Sequence, residues 1–268
     1  MAFHANMISV LEKLPRLSFY ARTRGWHFII AWFHRVTGIL LVIFVWIHMY
    51  LFSSPYGTGS YEVSAPGLGS LIFTFFQWIL VVPIIFHAFN GGRLILYEIY
   101  GNRGEEGMFR WVTGLCIIYL VILGLIMLMG NQSVSPFIFW LVMIAVASIL
   151  SCGVGARIWR GGHSIFWRLQ RITATFLLIM IPAYVMFMHL TLVSSQETGI
   201  VISGMQKYFI QAVYLLLLFG TLYHAGYGIW SLVSDYLCSR TLRRGAALLV
   251  TLVMLVFAWM GVTMIRVI

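Results

Sequence analysis

Two histidines occupy matching motifs in a chain of 268 residues that is otherwise strongly apolar. The stretch HAFNGGRLILYE begins at His87, and HAGYGIWSLVSDY begins at His224. In each copy a glycine follows the histidine by four residues and an acid follows it by eleven; these residues are Gly91, Glu98, Gly228 and Asp235. Because eleven residues make about three helical turns, the acid of a helical motif lies on the face of its histidine. The spacing predicts two helices that each carry an imidazole, a gap beside it and a terminal carboxylate on one face.

The composition is that of a membrane protein, with 61% hydrophobic residues, 9% charged residues and a mean hydropathy of +0.95. Seven apolar blocks are each long enough to cross a hydrocarbon core of about 30 Å as a helix. They lie near 28–52, 70–97, 109–129, 137–158, 166–192, 208–234 and 246–265. We predict an all-α membrane protein with seven transmembrane helices, in which the two motif histidines lie at similar depths in the second and sixth helices.

Lysine and arginine are concentrated on one side of the predicted membrane. The N-terminus and the connections near 98–109, 158–168 and 235–245 hold nearly all of them, whereas the alternate connections hold only Lys207. By the positive-inside rule, the N-terminus is cytoplasmic and the C-terminus lies outside. The net charge of +10 is interpreted as this sidedness together with attraction to anionic lipid, and no nucleic-acid binding is predicted.

The sequence lacks the motifs of several classes of enzyme active site and metal site. The three cysteines have no CxxC spacing, which argues against a disulfide or a thiolate metal site; they are Cys116, Cys152 and Cys238. The sequence contains no P-loop, GxGxxG, HExxH or Ser–His–Asp pattern, and it has no soluble domain for dehydrogenase chemistry.

A second pair of similar segments indicates an internal duplication. FHRVTG at 33–38 resembles LQRITA at 169–174, which aligns Arg35 with Arg171 and Thr37 with Thr173. The predicted organisation is a cytoplasmic segment, a three-helix repeat, a linker transmembrane helix and a second three-helix repeat. These units occupy 1–27, 28–130, 131–160 and 161–268. Because three crossings reverse the direction of the chain, the extra helix lets both repeats enter from the cytoplasm in parallel.

Histidines inside a bilayer mark a functional site by default. Two imidazoles on different helices at one depth are able to ligate a haem iron from opposite faces. The glycine one turn further along leaves room for a flat macrocycle. Arg35 and Arg171 are candidate partners of the haem propionates, and His34 beside Arg35 is a third. The alternative for a single membrane histidine is a hydrogen bond between helices or a step in a proton relay.

At these motifs the chain resembles the membrane anchor of succinate dehydrogenase (complex II) and fumarate reductase, with both anchor polypeptides fused. The first half is similar to the larger anchor subunit in FHRVTG, in SSPYG and in HAFNGGRLILYE, where the family pattern continues with Arg93 at the sixth position after His87. From residue 165 onward, RITA and HAGYGIWSLVSDY are similar to the smaller anchor subunit.

This resemblance implies a site and its partners. His87 and His224 would be the axial ligands of one haem b, and a ubiquinone or menaquinone pocket would lie at the same interface. The pocket residues implied by the family are Arg35, Asp235 and Tyr236, together with Ala31, which stands where the family usually has serine. The implied partners are a flavoprotein subunit and an iron–sulfur subunit, in the cytoplasmic membrane of a prokaryote. The resemblance leaves a higher oligomer of the complex open.

A related group of anchors carries two haems, whose outer ligands would come from the first helix of each repeat. His48 and His189 are the candidates, but they do not occupy equivalent positions, since Tyr184 aligns with His48. The alternatives to a one-haem succinate dehydrogenase anchor are therefore a di-haem quinol:fumarate reductase anchor, the cytochrome b of another oxidoreductase, such as a hydrogenase or formate dehydrogenase, and a haem-free seven-helix transporter or sensor.

Overall fold

Seven α-helices make up nearly all of the computed structural model, which describes residues 26–53, 71–101, 105–129, 134–197 and 204–267. No β-strand occurs in these ranges. The helices are α1 (Trp26–Ser53), α2 (Leu71–Tyr100), α3 (Glu105–Met129), α4 (Pro136–Ile158), α5 (Ile165–Glu197), α6 (Gly204–Tyr236) and α7 (Arg240–Val267). Of the predicted cytoplasmic segment 1–27, all but the last two residues lies outside these ranges.

All seven helices are long and apolar enough to span a membrane, which confirms the predicted number of spans and the all-α class. Inside a bilayer every backbone N–H and C=O must be bonded within the protein, so each apolar block becomes a helix. Several helices run past the predicted apolar blocks. The clearest cases are α7, which begins at Arg240 rather than near 246, and α6, whose last turn includes Asp235. The charged motif ends are therefore helical.

Equivalent helices in the two halves make equivalent contacts. The first helix of each half, α1 or α5, packs on the second helix of its own half, on the second helix of the other half and on the third helix of the other half. The four helices α1, α2, α5 and α6 therefore form the centre, with α3 and α7 outside it. The extra helix, α4, packs mainly on α5 and also contacts α6 and α2. The parallel arrangement of two repeats and the side of the N-terminus stay predictions.

Close packing in this bundle depends on small residues and on a few large buried side chains. A Cβ added at Gly92 of α2 would lie 2.9 Å from Leu178 of α5, and one at Gly261 of α7 would lie 2.5 Å from Leu218 of α6. Without a hydrophobic driving force between helices in lipid, such close approaches hold the helices by van der Waals contact. The largest fully buried side chain, Trp140 of α4, fills the junction with α5 and α6.

Candidate functional site

Three histidines meet at the centre of the four-helix core. The rings of His87 on α2 and His224 on α6 have their centres 6.4 Å apart and their planes at 82°. The ring of His34 on α1 stacks on His87 at 4.0 Å and 5°. The structure thus brings together the two motif histidines that the sequence placed at one depth, and it adds the third directly beside one of them.

The backbone and side chains of α1 hold the His87 ring in one orientation. His87 Nδ1 lies 3.1 Å from the carbonyl oxygen of His34 and 3.4 Å from the Thr37 hydroxyl. Because a carbonyl can only accept, Nδ1 carries the proton and Nε2 keeps its lone pair. This is the tautomer that a ligand to a metal needs, fixed by a neighbour as metal-binding histidines usually are.

Gly38 on α1 provides the space that the His87 ring occupies. A Cβ added there would lie 2.9 Å from Cε1 of His87, closer than real Cβ contacts. The ring has little room to turn away, since it is also in contact with the stacked His34 ring and lies 6.4 Å from the His224 ring, centre to centre. The glycine that ends FHRVTG is therefore part of the site, a role that sequence reasoning did not assign.

The second half surrounds its motif histidine with different contacts. Gln170 stands where the first half has His34, and its Nε2 donates to the carbonyl oxygen of His224 at 3.2 Å. His34 lies beside Gly91 and Gln170 lies beside Gly228, at 3.6 and 3.9 Å from an added Cβ. Thus the motif glycines provide room for the polar residue that precedes each arginine.

The two repeat arginines pair with acids from the opposite half. Arg35 Nη2 lies 3.3 Å from Oδ2 of Asp235, and Arg171 lies 2.6 Å from Oε2 of Glu98. Sequence reasoning offered both arginines as propionate partners and did not foresee these pairs, because the acids are contributed by distant parts of the chain. The propionate roles of Arg35, Arg171 and His34 stay predictions.

The residues that the family implied for quinone binding gather at one end of the bundle. Arg35 and Asp235 have side chains that are 43% and 52% exposed, and Tyr236 is 60% exposed. Ala31 is exposed one turn before Arg35, and Trp32 lies beside the guanidinium, with its ring centre 6.0 Å from Cζ. This group offers a cation, a carboxylate, a phenol and an aromatic face to a ligand. Quinone binding here stays a prediction.

Arg93 is a buried charge for which the motif analysis assigned no function. It is 6% exposed within α2, and its Nε donates to Oδ1 of Asn90, which is 1% exposed, at 2.9 Å. A guanidinium buried inside a membrane span is costly. An arginine at the sixth position of the motif, within a predicted span, was therefore the sequence feature that could have marked this residue as functional. It places a permanent positive charge in the same core as the histidines.

The outer histidine pair receives no comparable support. His48 lies on α1, partly buried, with its ring 5.8 Å from that of Phe44. His189 lies within α5, and its side chain is outside the part that the structure describes. A second haem between them stays a prediction. Among the described residues, no three His, Cys, Asp or Glu side chains are grouped to hold a metal ion directly.

Comparison with models of protein families assigns the chain to a family. The model of the succinate dehydrogenase/fumarate reductase transmembrane subunit matches residues 14–128 and 155–262, which together are most of the sequence. The stretch between the two matches contains most of α4. No curated protein and no solved structure matches the chain. The chain belongs to the family of succinate dehydrogenase/fumarate reductase transmembrane subunits.

Proposed function

We propose that this chain is the cytochrome b anchor of a succinate:quinone oxidoreductase. It would bind one haem b between His87 and His224 and a quinone near Arg35, Asp235 and Tyr236. A flavoprotein subunit and an iron–sulfur subunit would bind to it and exchange electrons with the quinone through it. The observation that carries this proposal is the meeting of His87 and His224, from equivalent motifs, at 6.4 Å between ring centres.

The donor set suits haem. A metal–imidazole bond is about 2 Å long, so two imidazoles on opposite sides of one iron have ring centres about 6 Å apart. The 6.4 Å between the ring centres of His87 and His224 agrees with this distance. Buried polar atoms usually have a partner, yet Nδ1 of His34 and Nδ1 of His224 have none within the described residues, which supports a polar ligand here. When bound, haem supplies a carrier of single electrons; the chain positions it and sets its surroundings.

The quinone end of the site would serve binding and proton transfer. Tyr236 offers a phenol O–H to a quinone carbonyl, and Arg35 offers guanidinium N–H groups. Asp235 is held by Arg35 and is half exposed, so it connects this end of the site to solvent. Reduction of a quinone consumes two electrons and two protons, so a site that joins donors to solvent suits this chemistry. The serine expected by the family at Ala31 is absent, and the neighbouring Trp32 offers an aromatic face instead.

The first test is the composition of the purified complex. The chain, extracted with its bound partners, is expected to carry one haem b per polypeptide, together with a flavoprotein and an iron–sulfur subunit. Pyridine haemochrome spectra and subunit identification measure both. A chain without haem would overturn the cytochrome assignment. Two haems per chain would instead favour the His48–His189 site and the di-haem anchor. Other oxidoreductase subunits in place of the expected pair would contradict the succinate dehydrogenase assignment.

Gly38→Ala is expected to weaken haem retention by roughly 10- to 100-fold, the usual cost of disturbing the support of a metal ligand. The new methyl group would overlap Cε1 of His87 and push the imidazole off its hydrogen bond to His34. Gly153→Ala on α4 is the matched control, because an added Cβ there meets nothing within 4 Å. Haem content after detergent washing measures the effect. Equal retention in the two variants would show that Gly38 does not position His87.

A further inference from the structure

An open pocket of about 130 Å³ lies where α2, α4 and α5 meet, at the end of the bundle that holds Glu98. Its walls include Glu98 and Arg157, from the last turns of α2 and α4, and Trp167, from the first turn of α5. These positions are the ends of three candidate membrane spans. The pocket therefore opens at the level of the lipid headgroups, on the side where the sequence predicts the cytoplasm.

The charge of this pocket is positive and not neutralised by the chain. Arg157 is exposed at the pocket, and neither it nor the neighbouring Arg160 forms an ion pair within the described part of the chain. The single wall carboxylate, Glu98, is already paired with Arg171 at 2.6 Å. An anionic group would therefore find a guanidinium without a competing partner.

The walls of the pocket are held in place by ring stacking and by a tight turn. The ring of His163 stacks on that of Trp167, with the ring centres 4.0 Å apart. The guanidinium of Arg171 also contacts Trp167, with Cζ 4.9 Å from the ring centre. Gly161 N–H donates to the carbonyl oxygen of Ile158 at 3.1 Å, while Arg168 donates to the Gly161 carbonyl at 2.6 Å. Because these contacts already hold the pocket walls in place, ligand binding requires little further ordering of the side chains.

The pocket is the second-half counterpart of the proposed quinone site, with different chemistry. The pair Arg171–Glu98 corresponds to Arg35–Asp235, but Ile99 stands where the other site has Tyr236. It therefore lacks the phenol that would bond a quinone carbonyl. The extra helix α4 adds Arg157, for which the first half has no counterpart. These two differences favour an anion over a quinone.

We infer that this pocket binds the phosphate group of an anionic phospholipid. Basic pockets between transmembrane helices on the cytoplasmic side recognise such headgroups, and arginine matches phosphate geometry with two parallel hydrogen bonds. Tryptophan at the membrane surface suits the boundary between headgroup and acyl chain. This inference depends on neither haem nor quinone binding, so it stands or falls separately from the proposed function.

The test uses the intact complex in detergent, titrated with phosphatidylglycerol, phosphatidylcholine or inorganic phosphate, with bound molecules counted by native mass spectrometry. Phosphatidylglycerol is expected to bind selectively. Arg157→Gln is expected to weaken its binding about fivefold, the contribution of one cation near an anionic headgroup. Arg157→Lys keeps the charge and is expected to lose less. Arg240→Gln, an exposed arginine at the start of α7, is the matched control and is expected to bind as the wild type does.

Three results would overturn the inference. Equal weakening by Arg157→Gln and Arg240→Gln would mean general surface charge rather than a pocket. Binding of inorganic phosphate with no preference for phosphatidylglycerol over phosphatidylcholine would mean a free-anion site. Loss of the iron–sulfur subunit from the Arg157→Gln complex, with lipid binding unchanged, would assign this arginine to the subunit interface. Size-exclusion profiles establish that each variant is folded and not aggregated.

Discussion

His87→Ala is expected to remove haem from the assembled complex while the seven-helix bundle stays folded. The substitution deletes one proposed axial ligand, and a single remaining imidazole does not hold the group in the same way. What the protein itself loses is small: one hydrogen bond to the His34 carbonyl, worth about 1 kcal/mol, and one ring stack. Haem content by pyridine haemochrome, with the elution volume as a check on folding, measures the result.

Two further variants make this result specific. His224→Ala should lose haem as fully as His87→Ala, because the proposal needs both ligands. His48→Ala is the matched control, a histidine on α1 away from the central cluster, and it should keep one haem. The ring of His34 lies only 4.0 Å from that of His87, so haem that survives in His87→Ala calls for the double variant with His34→Ala. Survival in the double variant would show that α2 does not provide the ligand.

Asp235→Asn is expected to lower succinate–quinone reduction by about a hundredfold, the scale of losing a positioned acid or base. The amide keeps the shape of the side chain but cannot carry a proton to the quinone or balance the charge of Arg35. The fold should tolerate the change, since a half-exposed ion pair stabilises by about 0–1 kcal/mol. Steady-state quinone reduction in membranes, beside reduction of a water-soluble dye by the partner subunits, measures the effect.

The equivalent acid in the other half provides the control. Glu98→Gln makes the same chemical change in the Arg171 pair, where Ile99 replaces the phenol of Tyr236. Quinone reduction should stay as in the wild type. Dye reduction should be unchanged in both variants, because it bypasses the membrane site. Equal losses of quinone reduction in the two variants would mean that the ion pairs support the structure rather than the chemistry, and would remove Asp235 from the quinone site.

The pairing of each arginine with the opposite half has a structural consequence. Arg35 and its partner Asp235 are 200 residues apart in the sequence, and Arg171 and its partner Glu98 are 73 residues apart. The two halves are therefore joined at the same end by two ion pairs and at their centre by His87 and His224. A ligand held by both histidines would add a third connection across this boundary. Haem binding and association of the halves are expected to support each other.

Some features of this protein followed from the sequence alone. Inside a bilayer the backbone N–H and C=O groups of an apolar block must bond to each other, which makes the block a helix. The positions of the apolar blocks therefore predicted the seven helices to within a few residues at most ends. The motif spacing has the same local origin: His87 and His224 hold equivalent positions in equivalent helices, so a shared depth could be read from the chain. The family, too, could be recognised from these motifs.

Other features were decided only when the helices packed. Helical spacing shows which residues share a face, but the neighbour of that face depends on long-range contacts. For this reason the sequence did not show that His34 stacks on His87, that Gly38 makes room for the ring, or that each arginine meets an acid of the other half. Likewise, the sequence predicted only that α4 links the two repeats. The packing of α4 on α5 brings Arg157 and Trp167 together in one pocket. Local hydrogen bonding and bilayer thickness fixed the elements, and side-chain fit between distant helices fixed the site.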